Sequence, residues 1–512
     1  MDIIEGFIIE QDGKPAWLNL TLKYNIEFDL NNKNIEVTEH DPIFTVDQIA
    51  SFTALYGVNA SGKTELLIKL AQSCSGKSGK YFGILYTHEG TLYLHRGKTL
   101  NGWECQINVR PVKSTIQTIF YSCSPFDTYR RRKFLNAEYI QEVSPHFDKN
   151  MPFDITLVMK TLNETKSKMD FFHHIEFSLS SAIPTENRCI TQLLDIITPP
   201  LESRLKRKRA EFSKTLHGWI KSWREKVTEA ERLQNRIDIK MLATEGVLKS
   251  GKTKFIDELI ELLNNNATDP ADKFIDLVRS AVINANLNLK IADIEDTLKG
   301  IVSIKQTKKK PINVKSLNNY IENTTSEEKK LLFRLFEYGI LRYEITKISS
   351  GEHALLYLML AIGHSLNNIP ANNSYPILLM IDEGETFLHP SWQRKYLSLL
   401  FEFLSSYETL ANRMHLIITT HSLIVAGDCP PGSLFHMEKY ININGFGLGP
   451  QSILEDVYDV GDFSGEYSLD LFKQMIAPFK EQRKIVTGKV PLLIESLADE
   501  NLKKALKANI KQ

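Results

Sequence analysis

Gly57-Val58-Asn59-Ala60-Ser61-Gly62-Lys63-Thr64 is the stretch on which the fold of this chain turns. It fits the pattern G-x-x-x-x-G-K-[ST]. A strand-like run, Phe52-Thr53-Ala54-Leu55-Tyr56, leads into it, and Leu66, Leu67 and Leu70 then recur at helical spacing. Glycines at both ends let the backbone curl, through Asn59, Ala60 and Ser61, so that several N–H groups face one anion. The following helix adds its positive N-terminal end. A lysine and a hydroxyl in the last two places suit a triphosphate: Lys63 spans the β- and γ-phosphates, and Thr64 ligates Mg²⁺.

Further pieces follow toward the C-terminus. Ile348-Ser349-Ser350-Gly351-Glu352 precedes the helical run His353–Leu366. Ser349 and Gly351 at a helix start make a second anion-binding element, while Ser349 with Glu352 equally fits an ordinary capping box. Next, Ile377-Leu378-Leu379-Met380-Ile381 reads as a buried strand ending in Asp382-Glu383. An aspartate at such a strand end can hold Mg²⁺, and a glutamate one residue on can polarise water for in-line attack on a γ-phosphate. Last, Leu416-Ile417-Ile418-Thr419-Thr420-His421-Ser422 is a strand ending in a histidine able to reach the same phosphate and water.

In this order the pieces resemble the ATP-binding-cassette ATPases, and more narrowly their SMC/Rad50-like branch. Asp382-Glu383-Gly384-Glu385-Thr386-Phe387-Leu388-His389-Pro390 is similar to the D-E-x-E-x-x-L-H-P of overcoming-lysogenization-defect (OLD)-type and related defence ATPases. The resemblance covers residues 1–125 and 345–440. It implies an α/β fold: an ABC-type P-loop ATPase head with an antiparallel β-subdomain and an α-helical insertion. It makes Gly57, Asn59, Gly62, Lys63 and Thr64 the nucleotide loop. Ser349, Gly351 and Glu352 become the signature, which meets the γ-phosphate bound to the other subunit. Asp382 serves Mg²⁺, Glu383 is the catalytic base, Glu385 to His389 touch the opposing site, and His421 is the switch histidine. The implied machine is a head-to-tail dimer with ATP sandwiched between heads, because one chain carries one P-loop and one signature. Such ATPases usually place a glutamine after the strand here read as Ile119-Phe120-Tyr121-Ser122. The chain continues Cys123-Ser124-Pro125 instead, which leaves Ser122 or Ser124 as substitutes.

Among defence systems the architecture is most like the ATPase component of Septu, whose partner is an HNH nuclease, with the PARIS ATPase component second. The expectation is an ATPase subunit that gates a separately encoded nuclease. The rival is a DNA-repair or chromosome-structure ATPase that clamps DNA without a dedicated effector.

Composition is that of an ordinary globular protein. The 512 residues allow roughly two to four domains. Lys+Arg and Asp+Glu both number 62, so nucleic acid can be met only through a local patch. The dense basic runs are Arg130-Arg131-Arg132-Lys133, Arg204 to Arg209 with Lys206, Arg207, Lys208 and Arg209, and Lys308-Lys309-Lys310. The cysteines, at 74, 105, 123, 189 and 429, form no C-x-x-C pair, which argues against a disulfide framework or structural zinc. No signal peptide or membrane-length apolar run is visible, so a cytoplasmic location is expected. No Toprim-type or H-N-H nuclease pattern stands out.

Along the chain the expected divisions are 1–130, an N-terminal lobe with the P-loop; 131–344, a mainly helical insertion; 345–455, a C-terminal lobe; and 456–512, a helical tail. Strands are expected at Ile3–Glu10, Trp17–Leu22, Ile26–Leu30 and Ile43–Val46. A later antiparallel meander is expected to end with Thr118–Ser122. The apolar series from Leu201 through Phe212, Leu216, Trp219 and Trp223 to Ile237 predicts a long helix or helical hairpin with a core-packing face. Ser326 to Tyr343 reads as helix.

Overall fold

The structure is a computed structural model. It describes the chain apart from residues 1, 12, 43–45, 47, 48, 59, 75–81, 111–115, 125–130, 132, 134, 136, 138, 146–152, 154, 165–174, 182, 198–205, 245–253, 265–267, 286–289, 291, 293–311, 314–316, 318–322, 371–374, 450, 454–469, 472, 474, 475, 478–489, 496–499, 511 and 512. The expected strand at Ile43–Val46 lies largely outside the described residues. The fold is mixed α/β, in two units: Met1–Glu142 with Asn373–Ser398 and Leu410–Gln512, and Val143–Asn372 with Leu399–Thr409.

In the first unit a seven-stranded sheet runs in the order Ile140–Glu142, Gln117–Ser122, Ile377–Asp382, Met414–Thr420, Ser51–Tyr56, Leu434–His436, Ile441–Ile443. Neighbours are parallel except for the last pair. Parallel strands covered on both faces need continuous apolar runs. Accordingly Ile377–Asp382, Met414–Thr420 and Ser51–Tyr56 are buried at every position. Helix Lys63–Cys74 lays Leu66, Leu67, Leu70 and Ala71 into a core shared with Leu55, Phe120, Leu378, Met380, Ile417 and Phe435. Each large apolar side chain so buried contributes roughly 1.5–3 kcal/mol.

A second sheet joins Lys14–Asn19, Asp2–Gln11, Gly83–His88 and Thr91–His95 antiparallel, with Asn108–Val109 parallel at its edge. A bulge between Ile4 and Gly6 shifts the phase of the first strand. Ile4, Phe7 and Ile9 therefore share the core of the Lys63–Cys74 helix, while Ile8 faces another core with Trp17, Tyr24, Leu85, Leu94 and Trp103. His415, in the central sheet, ties the two sheets together. Its Nε2 accepts the Ile4 N–H at 3.2 Å, and its Nδ1 lies 2.8 Å from Ser51 Oγ. Full burial pushes this imidazole down to about 3.

Two strand assignments change. Gln117–Ser122 belongs to the parallel sheet, beside Ile377–Asp382, and not to an antiparallel meander. Its buried run, unbroken after Gln117, is what a doubly covered strand requires. Asn34–Glu39, absent from the sequence reading, pairs antiparallel with Tyr24–Asp29.

In the second unit the expected long helix is a hairpin, Lys206–Arg224 and Glu229–Thr244. Phe212, Leu216, Ile220 and Trp223 are buried, and the Trp219 ring packs against Phe274 with centroids 6.0 Å apart. That face is occupied by the chain's own core. Helix Ser326–Glu337 ends earlier than expected. Gly339 takes φ +62, the Gly339 N–H bonds Phe336 O, and the Ile340 N–H bonds Leu335 O, a left-handed helix stop. The chain then forms strand Leu341–Thr346, antiparallel to Glu176–Ser181.

No helix among the described residues is long and apolar enough to cross a membrane. Cys74, Cys123, Cys189 and Cys429 are buried, and Cys105 is partly exposed. Burial pushes the Cys123 thiol up to about 11 and the Cys189 thiol up to about 12, and Cys429 also moves up.

Candidate functional site

Parallel strands end together, so the carboxyl ends of Gln117–Ser122, Ile377–Asp382, Met414–Thr420 and Ser51–Tyr56 form one edge. Cross-strand register places Ser122, Asp382 and Thr419 side by side on it. Thr419 Oγ1 donates to Asp382 Oδ1 at 2.7 Å, and Ser122 Oγ donates to Oδ2 at 3.0 Å. Thr64, opening the P-loop helix, reaches the same carboxylate at 3.0 and 3.1 Å. Asp382 is 1% exposed; burial raises its carboxyl, and the hydroxyl donors pull the other way. This is a hard, oxygen-only donor set. One carboxylate with hydroxyls suits Mg²⁺ sharing its shell with water and phosphate oxygens, and would not suit a soft metal.

The loop before Thr64 curls as the sequence requires. Ala60 and Gly62 are left-handed, at φ +67 and +86, and the Ser61 N–H bonds Val58 O at 3.2 Å. Asn59 lies outside the described residues. Lys63 is 5% exposed, and its Nζ donates to Gly57 O at 2.9 Å and Val58 O at 3.1 Å. Burial lowers its ammonium, against the pull of Glu383, Glu438, Asp382 and Glu385. Glu438 was missed in the sequence. It follows Leu434–His436, the strand next to Ser51–Tyr56, and its Oε1 accepts the Val58 N–H at 2.8 Å. A side chain on Gly57 would meet that carboxylate at 2.7 Å, so the first glycine of the motif is fixed by close approach. No local signal could have found Glu438, because only the sheet order brings it to the loop.

Glu383 sits at φ +53, a left-handed position that turns it away from the strand axis. Its N–H donates to Thr419 Oγ1 at 3.0 Å, and its C=O accepts from Thr386 Oγ1 at 2.8 Å. His421 Nε2 lies 3.4 Å from Glu383 Oε1. The histidine beside it, first by hydrogen bonding, holds the Glu383 carboxyl below its ordinary value. The base and the histidine singled out in the sequence therefore stand together.

Two expectations change. Glu385, expected within the loop that touches the opposing site, is enclosed: it is 3% exposed, and its Oε1 accepts from Thr420 Oγ1 and from the His421 N–H. Burial raises its carboxyl. Arg131 is not part of a surface basic patch. It is 2% exposed, pairs with Glu142 at 3.2 Å and donates to Ser124 O at 2.7 Å. Arg209 pairs with Asp195 at 2.5 Å, and Lys208 lies over the Phe212 ring. Arg130, Arg132, the run at 308–310 and the side chains of Lys206 and Arg207 lie outside the described residues.

In the second unit, Ser349 caps helix Ser350–Asn367. Ser349 Oγ accepts the Glu352 N–H at 3.3 Å, and Glu352 Oε2 accepts the Ser349 N–H at 2.7 Å. The capping-box reading is thus realised. Glu352, 4% exposed, is turned back on its own helix end, while Ser349 stays exposed.

No protein-family model matches the chain. A curated relative, Endonuclease GajA of Bacillus cereus (strain HuB5-5), is 30% identical over 178 residues, 30% of this chain. The chain spans 25% of the length of that relative. A solved structure of the recombination mediator protein RecF-ATPrS, of the RecFOR pathway, covers 82% of this chain and 93% of its own at 12% identity. The superposition is loose, with a TM-score of 0.20.

Proposed function

We propose that this chain is an ATP-binding and ATP-hydrolysing subunit of an anti-phage defence complex. It pairs head-to-tail with a second copy around ATP and gates a separate nuclease, of the HNH type. The observation that carries this reading is the single edge on which Thr64, Ser122 and Thr419 surround Asp382 and Glu383 stands beside His421. Lys63 and the loop N–H groups take the β- and γ-phosphates. Thr64 and Asp382 would hold Mg²⁺, which would neutralise phosphate charge. Glu383 orients the attacking water, and His421 fixes Glu383 and meets the γ-phosphate. Ser349 and Gly351 complete the site of the partner copy. The likeness to a protein named an endonuclease supports a role beside a nuclease. A DNA clamp is less well supported, since Arg131 and Arg209 are already paired with acids inside the chain.

Purified chain should hydrolyse ATP in Mg²⁺. Glu383→Gln should keep ATP affinity while kcat falls about 10²–10⁴-fold, as expected for loss of a general base. ATP-loaded Glu383→Gln should be dimeric by light scattering, and Lys63→Ala monomeric. Pull-down of tagged protein from its host should recover a nuclease. DNA cleavage by the chain alone would overturn the separate-nuclease part of the reading, and ATP-independent dimers would overturn the head-to-tail part.

A further inference from the structure

Glu383 and His421 lie 38 residues apart in the chain, and a set of hydrogen bonds joins the loops that carry them. Glu385 Oε1 takes the Thr420 hydroxyl and the His421 backbone N–H, the latter at 3.3 Å. Thr420 Oγ1 in turn accepts the Ser422 N–H at 2.9 Å. A few residues on, Ser422 Oγ donates to Gln393 Oε1 at 2.7 Å, and Gln393 Nε2 donates to Leu388 O at 3.1 Å. The loop after Asp382 and the loop after Thr420 are thereby joined at both ends. The first join closes a ring: Glu383, Gly384, Glu385, across a hydrogen bond to the His421 N–H, then through the imidazole back to Glu383 Oε1.

Stability alone does not call for an acid here. Glu385 is 3% exposed, and its Oε2 has no hydrogen-bond partner among the described residues. The Tyr396 hydroxyl, also buried and without a partner among them, adds nothing to hold it. A buried carboxylate with one oxygen unpaired costs free energy that an apolar side chain of similar size would not. What the acid supplies is an acceptor for the His421 backbone N–H.

We propose that Glu385 is a positioning residue for His421: its buried oxygen holds the histidine's backbone so that the imidazole meets Glu383. This rests on the reading of Glu383 and His421 as hydrolytic groups. Glu385 is enclosed, so its part is played through the Thr420 hydroxyl and the His421 N–H. Only an acceptor is needed, so glutamine can serve and leucine cannot.

The test is steady-state ATP hydrolysis by the full chain in Mg²⁺, with KM and kcat separated and a thermal melt on each variant. Glu385→Leu should lose on the order of 10²-fold in kcat, the scale of a small misplacement in a site. Its KM for ATP and its melting temperature should stay near wild type. Glu385→Gln should restore kcat to within a few-fold. Thr420→Val, which leaves the acid in place, should lower kcat in the same direction, and adding it to Glu385→Leu should cost little more. The inference is overturned if Glu385→Leu keeps wild-type kcat, if it loses kcat and ATP affinity together, or if Glu385→Gln is as slow as leucine. A wild-type chain that does not turn over ATP would take the nucleotide reading down with it, and that is seen before any variant is compared.

Discussion

Glu438 and Gly57 show how a motif can depend on a residue outside it. The Glu438 carboxylate pins the Val58 N–H at the mouth of the loop and occupies the space a Cβ on Gly57 would need. Two substitutions should therefore converge. Gly57→Ala forces the carboxylate away, and Glu438→Ala removes it. In both, the KM for ATP should rise several-fold while kcat changes less, because in the proposed function the loop takes phosphate and the proposed hydrolytic groups stand elsewhere. Equal losses in kcat would show that the loop and the base are not separable. At this scale the sequence was most legible where chemistry is contiguous. Gly57 to Thr64, Asp382-Glu383 and His421 are each readable from neighbours in the chain. Thr419 and Glu438 are not, since their roles exist only through parallel register and sheet order. Ser122 lay between these cases: it could be named as a substitute for a missing glutamine, but its bond to Asp382 could not.

At the scale of elements, the tie between the two sheets of the first unit is acid-sensitive. His415 is neutral in the fold, with an imidazole pushed down to about 3 against an ordinary 6.5. The unfolded chain takes up a proton at that imidazole below 6.5 and the folded chain does not. The contribution is therefore complete above 6.5 and is lost as pH falls toward 3. Between pH 6.5 and 5 the loss is about 2 kcal/mol at most. The melting temperature of wild type should fall over that interval, and His415→Gln should show a shallower slope from a lower start. A parallel pair of slopes would place the acid sensitivity elsewhere. Elements were legible where period and burial agree, as in Asp2–Gln11 and Lys206–Arg224. They were misread where a doubly covered strand carries no alternation, as in Gln117–Ser122. The helix end at Glu337 was missed because Gly339 acts through a left-handed turn that leaves no mark on hydrophobic spacing.

Across the whole molecule, the basic runs teach a different lesson. Arg131 belongs to the densest of them, yet its guanidinium is enclosed by Glu142 and Ser124 O. Linear charge density gives no information on which side of a surface a cation falls.

The distribution of thiols gives the protein a built-in clock. Only Cys105 is partly open, while Cys74, Cys123, Cys189 and Cys429 are enclosed, and burial suppresses the thiolates of Cys123, Cys189 and Cys429. A maleimide dye should therefore attach first at Cys105, seen by peptide mapping. The slower steps that follow should time local opening around each remaining sulfur. Cys123 follows Ser122 directly, and its N–H bonds Asp382 O at 3.3 Å, so its labelling rate reads the breathing of the sheet edge that carries Asp382. Nucleotide that closes that edge should lengthen this one interval and leave the Cys105 step unchanged, without any label being engineered in.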